Sequence, residues 1–197
     1  MAKKVVILGA NGFAGGEFAQ QFLEDGYEVT SISRTGEPLG NQAWLKNVDW
    51  KIGNALSKGF WTQYLKGADV VVDTIGEYRE NQNENLTFEK VNYQSALNIA
   101  DAAEENNVPV FVYMSADEIP NANKRYIQTK RDAEDNLNKR KFRTVIVRPA
   151  TMVTDDDVVD SDEPHRSLPV SMVVLAAIDA VDSAKENVTL GVEDIDK

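Results

Sequence analysis

Ser115, Tyr126 and Lys130 are the side chains whose types and spacing best suit proton transfer. Tyr126 and Lys130 stand four apart, and on a helix such a pair shares one face, one turn apart. Free tyrosine ionises near ~10, too high for an acid–base at neutral pH. A neighbouring ammonium favours the phenolate, so Lys130 is expected to lower the Tyr126 value. Ser115 closes an apolar run eleven residues earlier, where its hydroxyl would orient a substrate carbonyl or hydroxyl. A Tyr-x-x-x-Lys pair also occurs on ordinary solvated helix faces, and Lys124, Arg125 and Arg131 fit that plainer reading. Order along the chain favours the first: a glycine-rich turn, a strand ending in serine, then the pair on the next helix.

The glycine turn is GANGFAG, which places Gly9, Gly12 and Gly15 between an apolar strand and a helix. Glycines there permit a tight turn and a close backbone approach to a ligand. The helix start offers free N–H groups and a positive dipole end to a pyrophosphate. Asn11, Phe13 and Ala14 belong to the same turn, so the expectation is a dinucleotide site.

The second strand ends at Ser33-Arg34, with no acid to hold a ribose 2′-hydroxyl. Arg34 would pair with a 2′-phosphate, with Ser33 and Thr35 adding hydroxyls, which favours NADP(H) while leaving NAD(H) open. After the third strand, Asn54 would reach the adenine edge. After the fourth, Thr74, Ile75 and Gly76 occupy a carboxyl end where a ligand should lie, and Gly76 would let the ribose pass close. Lys130 would hold the nicotinamide ribose, and Met114 precedes the serine at the end of strand five.

These residues need a scaffold, and the pattern supplies one. Short β-branched runs at 4–8, 28–33, 48–52, 69–74, 109–114, 143–148 and 187–190 alternate with amphipathic stretches at 12–24, 57–66, 85–106, 123–139 and 167–183. Such alternation predicts an α/β protein with one doubly wound parallel sheet of about seven strands and helices on both faces. Phe18 and Phe22 would share the buried face of the first helix. Residues 34–44 read as a loop, and 154–166 as an acidic segment. One domain over 1–197 is expected, with a minimal substrate region at about 150–197.

Composition narrows the function. Twenty-one basic and 32 acidic residues give a net charge of −11, a poor match to nucleic acid or an anionic membrane. With no cysteine, thiolate sites and disulfides are excluded, and a single histidine, His165, excludes a multi-histidine metal site. The acidic run Asp155, Asp156, Asp157, Asp160, Asp162, Glu163 lacks the alternation and the glycine of a calcium loop. It reads as a solvated flap and His165 as a surface residue, so no metal is expected. Trp44, Trp50 and Trp61 read as packing residues. No apolar run is long enough to span a bilayer, and the expected compartment is the cytoplasm.

Together GANGFAG, YMSAD, YIQTK and VRPATMV, in this order over nearly the whole chain, resemble the short-chain dehydrogenase/reductases of the extended or atypical kind, a Rossmann-like family. The stretch VNYQSALNIADAAEENNVPVFVYMSA resembles sugar-nucleotide epimerases. SADEIP, YIQTKRDAEDNL and VIVRPATM are closer to the dehydrogenase-like accessory subunit of complex I and the accessory protein of coenzyme Q synthesis. The resemblance implies Ser115, Tyr126 and Lys130 as the catalytic set, with Pro149, Ala150 and Met152 flanking the nicotinamide, and places Asn92 where relatives carry an active-site asparagine. Three departures stand out: Asn54 replaces the usual acid after strand three, the acid after strand two is missing, and the large substrate lobe of epimerases is absent.

Two functions follow. One is an NAD(P)-dependent oxidoreductase acting on a carbonyl or alcohol, with Tyr126 as acid–base. The other is a non-catalytic dinucleotide-binding sensor or assembly protein, working with a protein partner or as an oligomer. Nucleotide-sugar epimerisation is disfavoured by length.

Overall fold

The computed structural model describes residues 2–118, 120–157 and 166–196. His165, Asp160, Asp162 and Glu163 lie outside them. Strands β1 (Lys4–Leu8), β2 (Glu28–Ser33), β3 (Val48–Ile52), β4 (Val70–Asp73), β5 (Val110–Met114), β6 (Arg143–Val147) and β9 (Val188–Leu190) form a seven-stranded parallel sheet, ordered β3-β2-β1-β4-β5-β6-β9. Two short strands, β7 (Met152–Val153) and β8 (Leu168–Pro169), pair separately. The architecture is the expected Rossmann-like α/β fold.

Alternation along each strand splits the core in two. Val5 and Ile7 face α1 (Phe13–Glu24) and α4 (Val170–Ser183). Val6 and Leu8 face α2 (Ser95–Glu105) and α3 (Lys124–Leu137). Phe18 and Phe22 are fully buried on α1, with ring centroids 6.2 Å apart. Trp61 is buried, and Trp44 packs on Trp50. Lys124, Arg125, Gln128, Asp132 and Asp135 occupy the solvent side of α3. A fifth helix, α5 (Val192–Ile195), was not expected from the pattern.

Three expected boundaries shift. The helix at 57–66 is a 3-10 turn over Phe60–Leu65, and another 3-10 turn, Ala43–Asn47, begins inside the expected 34–44 loop. The expected helix at 85–106 opens with a π-helical turn, Glu89–Gln94, before α2. The π-turn admits one more residue than an α-turn. It lets Asn92 reach back to the backbone of Glu77, giving Nδ2 to its carbonyl and accepting its N–H, both at 2.9 Å.

β2 and β3 lie on one side of β1, and β4 to β6 on the other. The chain therefore reverses direction between β1 and β4, and open parallel sheets bind ligands at the carboxyl edge of such a switch point.

Candidate dinucleotide site

A cleft of about 390 Å³ opens at this switch point. Its walls come from four strand ends: Leu8, Gly9, Asn11 and Gly12 after β1; Ile32 to Thr35 after β2; Gly53 to Leu56 after β3; Thr74 to Glu77 after β4. Leu86 and Val91 close it from the segment leading into α2.

The glycine turn is fixed by contact. Gly9 has φ +101°, a conformation that side chains disfavour. A Cβ on Gly15 would sit 2.2 Å from the Gly9 carbonyl oxygen. Thr74 ties the two strand ends together, donating its N–H and its hydroxyl to the Leu8 carbonyl at 3.1 and 2.9 Å. Helix α1 starts at Gly12 with no side-chain cap and no acid in its first turn. Its dipole end is left for an anion.

At the far end, Asn11 donates to the Thr35 hydroxyl at 3.1 Å, and Ser33 donates to the Gly36 carbonyl at 3.0 Å. Arg34 is exposed and makes no ion pair among the described residues. Asn54 lines the cleft, but its side-chain oxygen accepts the Leu56 N–H at 3.1 Å. These features fit a dinucleotide: an uncapped helix for the pyrophosphate, space where a Cβ would intrude, and an uncommitted guanidinium at the ribose end.

Ser115 follows β5, and Tyr126 and Lys130 lie on α3; all three stand outside the lining of the cleft. Ser115 is buried, and its hydroxyl donates to Glu134 Oε1. Glu134, 2 % exposed, also accepts from Arg131 Nη1 at 2.7 Å and from the Arg148 guanidinium. Lys130 is fully enclosed. Its ammonium donates to the Met114 carbonyl at 2.8 Å and lies 4.8 Å from the centre of the Tyr113 ring. A Cβ on Gly76 would approach it to 3.0 Å, so the ammonium stands directly behind the inner wall of the cleft.

Burial lowers the Lys130 pKa to about 8, against the pull of Asp73 and Glu134. Burial raises Asp73 to about 6, against Lys130 and the Ile75 N–H. Tyr126 is half-buried against Phe88, at 5.7 Å between ring centres. Burial pushes its phenol up, opposed by the Arg131 guanidinium. The sequence expectation is that Lys130 lowers the tyrosine; here burial prevails and the opposing charge is Arg131, while the Lys130 ammonium donates to the Met114 carbonyl beneath Gly76.

Of the expected cofactor residues, Gly9, Asn11, Gly12, Ser33, Arg34, Asn54, Thr74, Ile75 and Gly76 line the cleft. Phe13, Ala14, Gly15, Met114, Pro149, Ala150 and Met152 do not, and Phe13 is half-exposed at the start of α1. Sequence reasoning passed over Glu77, Leu86, Val91 and Glu134. Glu77 lies on a connection with no periodicity to place it, and Leu86 and Val91 fall within the expected helix at 85–106, whose opening the structure recasts around a π-turn. Glu134 was within reach, since it stands four after Lys130 on the same helical face.

The pattern of the NAD(P)H-binding family matches residues 9–181. A chloroplastic protein of Arabidopsis thaliana, named as uncharacterised, is 31 % identical over 99 % of this chain and 73 % of its own length. MIOREX complex component 2 of Saccharomyces cerevisiae is 29 % identical over 77 % of this chain and 73 % of its own. Among solved structures, the Bordetella bronchiseptica enzyme WbmH in complex with NAD+ superposes with a TM-score of 0.75 at 24 % identity, over 98 % of this chain and 76 % of that one. Among the described residues no helix is long and apolar enough to cross a membrane.

Proposed function

The chain belongs to the NAD(P)H-binding family, and from that premise we propose that it is an NADP(H)-dependent oxidoreductase that reduces a small carbonyl substrate. The observation that carries this reading is one continuous cleft, running from the free Arg34 guanidinium past the glycine turn to Gly76, with the Lys130 ammonium behind it. Arg34 would pair with a 2′-phosphate, and the α1 amides would hold the pyrophosphate. Lys130 would steady the adjoining ribose. When bound, the nicotinamide would supply the hydride. Tyr126 would hand its proton to the substrate oxygen, and a phenol kept protonated by burial suits that direction. Ser115 would orient the carbonyl. The stretch after β6 would serve the substrate, within a single dinucleotide-binding domain.

A second reading is a non-catalytic dinucleotide-binding protein. It is favoured by the engagement of Ser115 with Glu134 and of Lys130 with the Met114 carbonyl.

Calorimetric titration with NADPH and NADH, followed by a carbonyl-substrate screen, separates the two. Tighter NADPH binding and turnover that vanishes in Tyr126→Phe, with affinity kept, supports the reductase. Binding without turnover of any carbonyl supports the second reading. No binding of either dinucleotide overturns both.

A further inference from the structure

Asp73 ends β4 beneath the cleft and is fully buried. Its Oδ1 accepts the Ile75 N–H at 2.9 Å, while Oδ2 has no hydrogen-bond partner among the described residues. An ionised carboxylate in such a place is costly unless an opposite charge is near. The register sets Asp73 beside Tyr113 on β5, and the Lys130 ammonium lies against that same ring and donates to the next carbonyl, Met114.

The other charged and titratable groups around this shell are accounted for. From α3 come Lys130, Glu134, Arg131 and Tyr126, and from β5 Tyr113. The neighbours on β1 and the π-turn, Leu8 and Asn92, carry no charge. Glu134 is neutralised by Arg131 and Arg148. Arg131 is held by Glu134 and the Ala116 carbonyl. The Tyr113 hydroxyl donates to the Asn92 carbonyl at 2.9 Å. Asp73 and Lys130 are thus a buried carboxylate and a buried ammonium that both adjoin Tyr113, with no direct ion pair between them.

We propose that Asp73 is a positioning residue for this site: its buried carboxylate is the counter-ion that keeps Lys130 charged behind Gly76. The proposal deepens the cofactor reading, but the placement of Asp73 and Lys130 around Tyr113 belongs to the free protein. Burial and the carboxylate act on Lys130 in opposite directions, so removing the Asp73 carboxylate leaves burial opposed by Glu134 alone.

The test is an NMR titration of the lysine side chains in the free protein, with Lys130→Met identifying the Lys130 signal. In the parent the midpoint lies near 8. In Asp73→Asn it falls by about one unit or more. Reciprocally, Lys130→Met moves the Asp73 carboxyl midpoint above its parent value of about 6. An unchanged Lys130 midpoint in Asp73→Asn, or an unchanged Asp73 midpoint in Lys130→Met, overturns the proposal. A merely structural Asp73 would alter thermal stability without moving Lys130. NADPH calorimetry on Asp73→Asn then isolates the cofactor reading. Weaker binding at pH 8 than in the parent supports both. A displaced Lys130 midpoint with parental NADPH affinity keeps the electrostatic coupling of Asp73 to Lys130 and removes Lys130 from the cofactor site.

Discussion

The Ser115 hydroxyl donates to Glu134, a carboxylate almost wholly withdrawn from solvent and gripped by the guanidiniums of Arg131 and Arg148. One buried carboxylate thus joins the end of β5, the helix α3 and the residue following β6.

Glu134→Gln removes the charge while keeping the shape. Losing one partner of a buried pair commonly costs about 3–5 kcal/mol. Here Arg131 and Arg148 keep 25 % and 35 % side-chain exposure and can turn to water. The expected loss is therefore about 2–3 kcal/mol in urea unfolding. A loss below about 1 kcal/mol, the size of an ordinary neutral hydrogen bond, would show that the cluster contributes no more than that.

Arg34→Ala should weaken NADPH by about ten- to a hundredfold, the worth of a charged hydrogen bond to phosphate. NADH, lacking that phosphate, should be held nearly as before. Calorimetry with each dinucleotide reads the difference, and equal effects would remove Arg34 from the site.

Gly15→Ala places a methyl 2.2 Å from the Gly9 carbonyl oxygen, an atom of the backbone that has little room to retreat. Overpacking of this kind costs about 1–3 kcal/mol or more, and dinucleotide binding should be lost with the turn. Gly59→Ala is the control, since its nearest contact is 3.6 Å and its φ is an ordinary −173°. Thermal melts should show a clear drop for the first and almost none for the second.

The pH dependence of stability follows from Asp73. Its folded value, about 6, lies above the ordinary 3.8, so the native state holds a proton that the unfolded chain releases. Stability from this group is whole below pH 3.8 and is lost as the pH rises to about 6. Asp73→Asn carries no such loss. Its stability relative to the parent should rise between those pH values and then level off. The rise is at most about 3 kcal/mol, the free energy that corresponds to the separation of the two Asp73 values. Urea titrations across that range measure the difference, and a constant gap would contradict it.

The sheet was legible because parallel strands covered on both faces are written as nearly unbroken apolar runs, as in VVIL and DVVV. The glycine turn was legible because a missing Cβ is itself the device. The tyrosine was harder. Spacing places Tyr126 and Lys130 on one helix, but not the acceptor that each side chain meets, and Lys130 meets the Met114 carbonyl of another strand. Glu77 reaches the cleft through an irregular connection gripped by Asn92, and Leu86 and Val91 reach it where a π-turn interrupts the stretch read as one helix. Long-range pairings of that kind leave no periodic trace.

The π-turn at Glu89–Gln94 turns this last point into a constraint on how the chain can change. An α-helix advances by about 100° per residue. A π-turn advances less per residue and so absorbs its extra residue, and removing one would let the helix continue in regular form with the faces on either side nearly kept. Inside the turn the side chains would be re-phased: Asn92 would leave Glu77, and Val91 would leave the cleft wall. A one-residue shortening here is thus inexpensive for the helix and disruptive for the cleft. Chains of this fold with and without the extra residue should therefore differ in the shape of that wall and not in the strength of the sheet behind it.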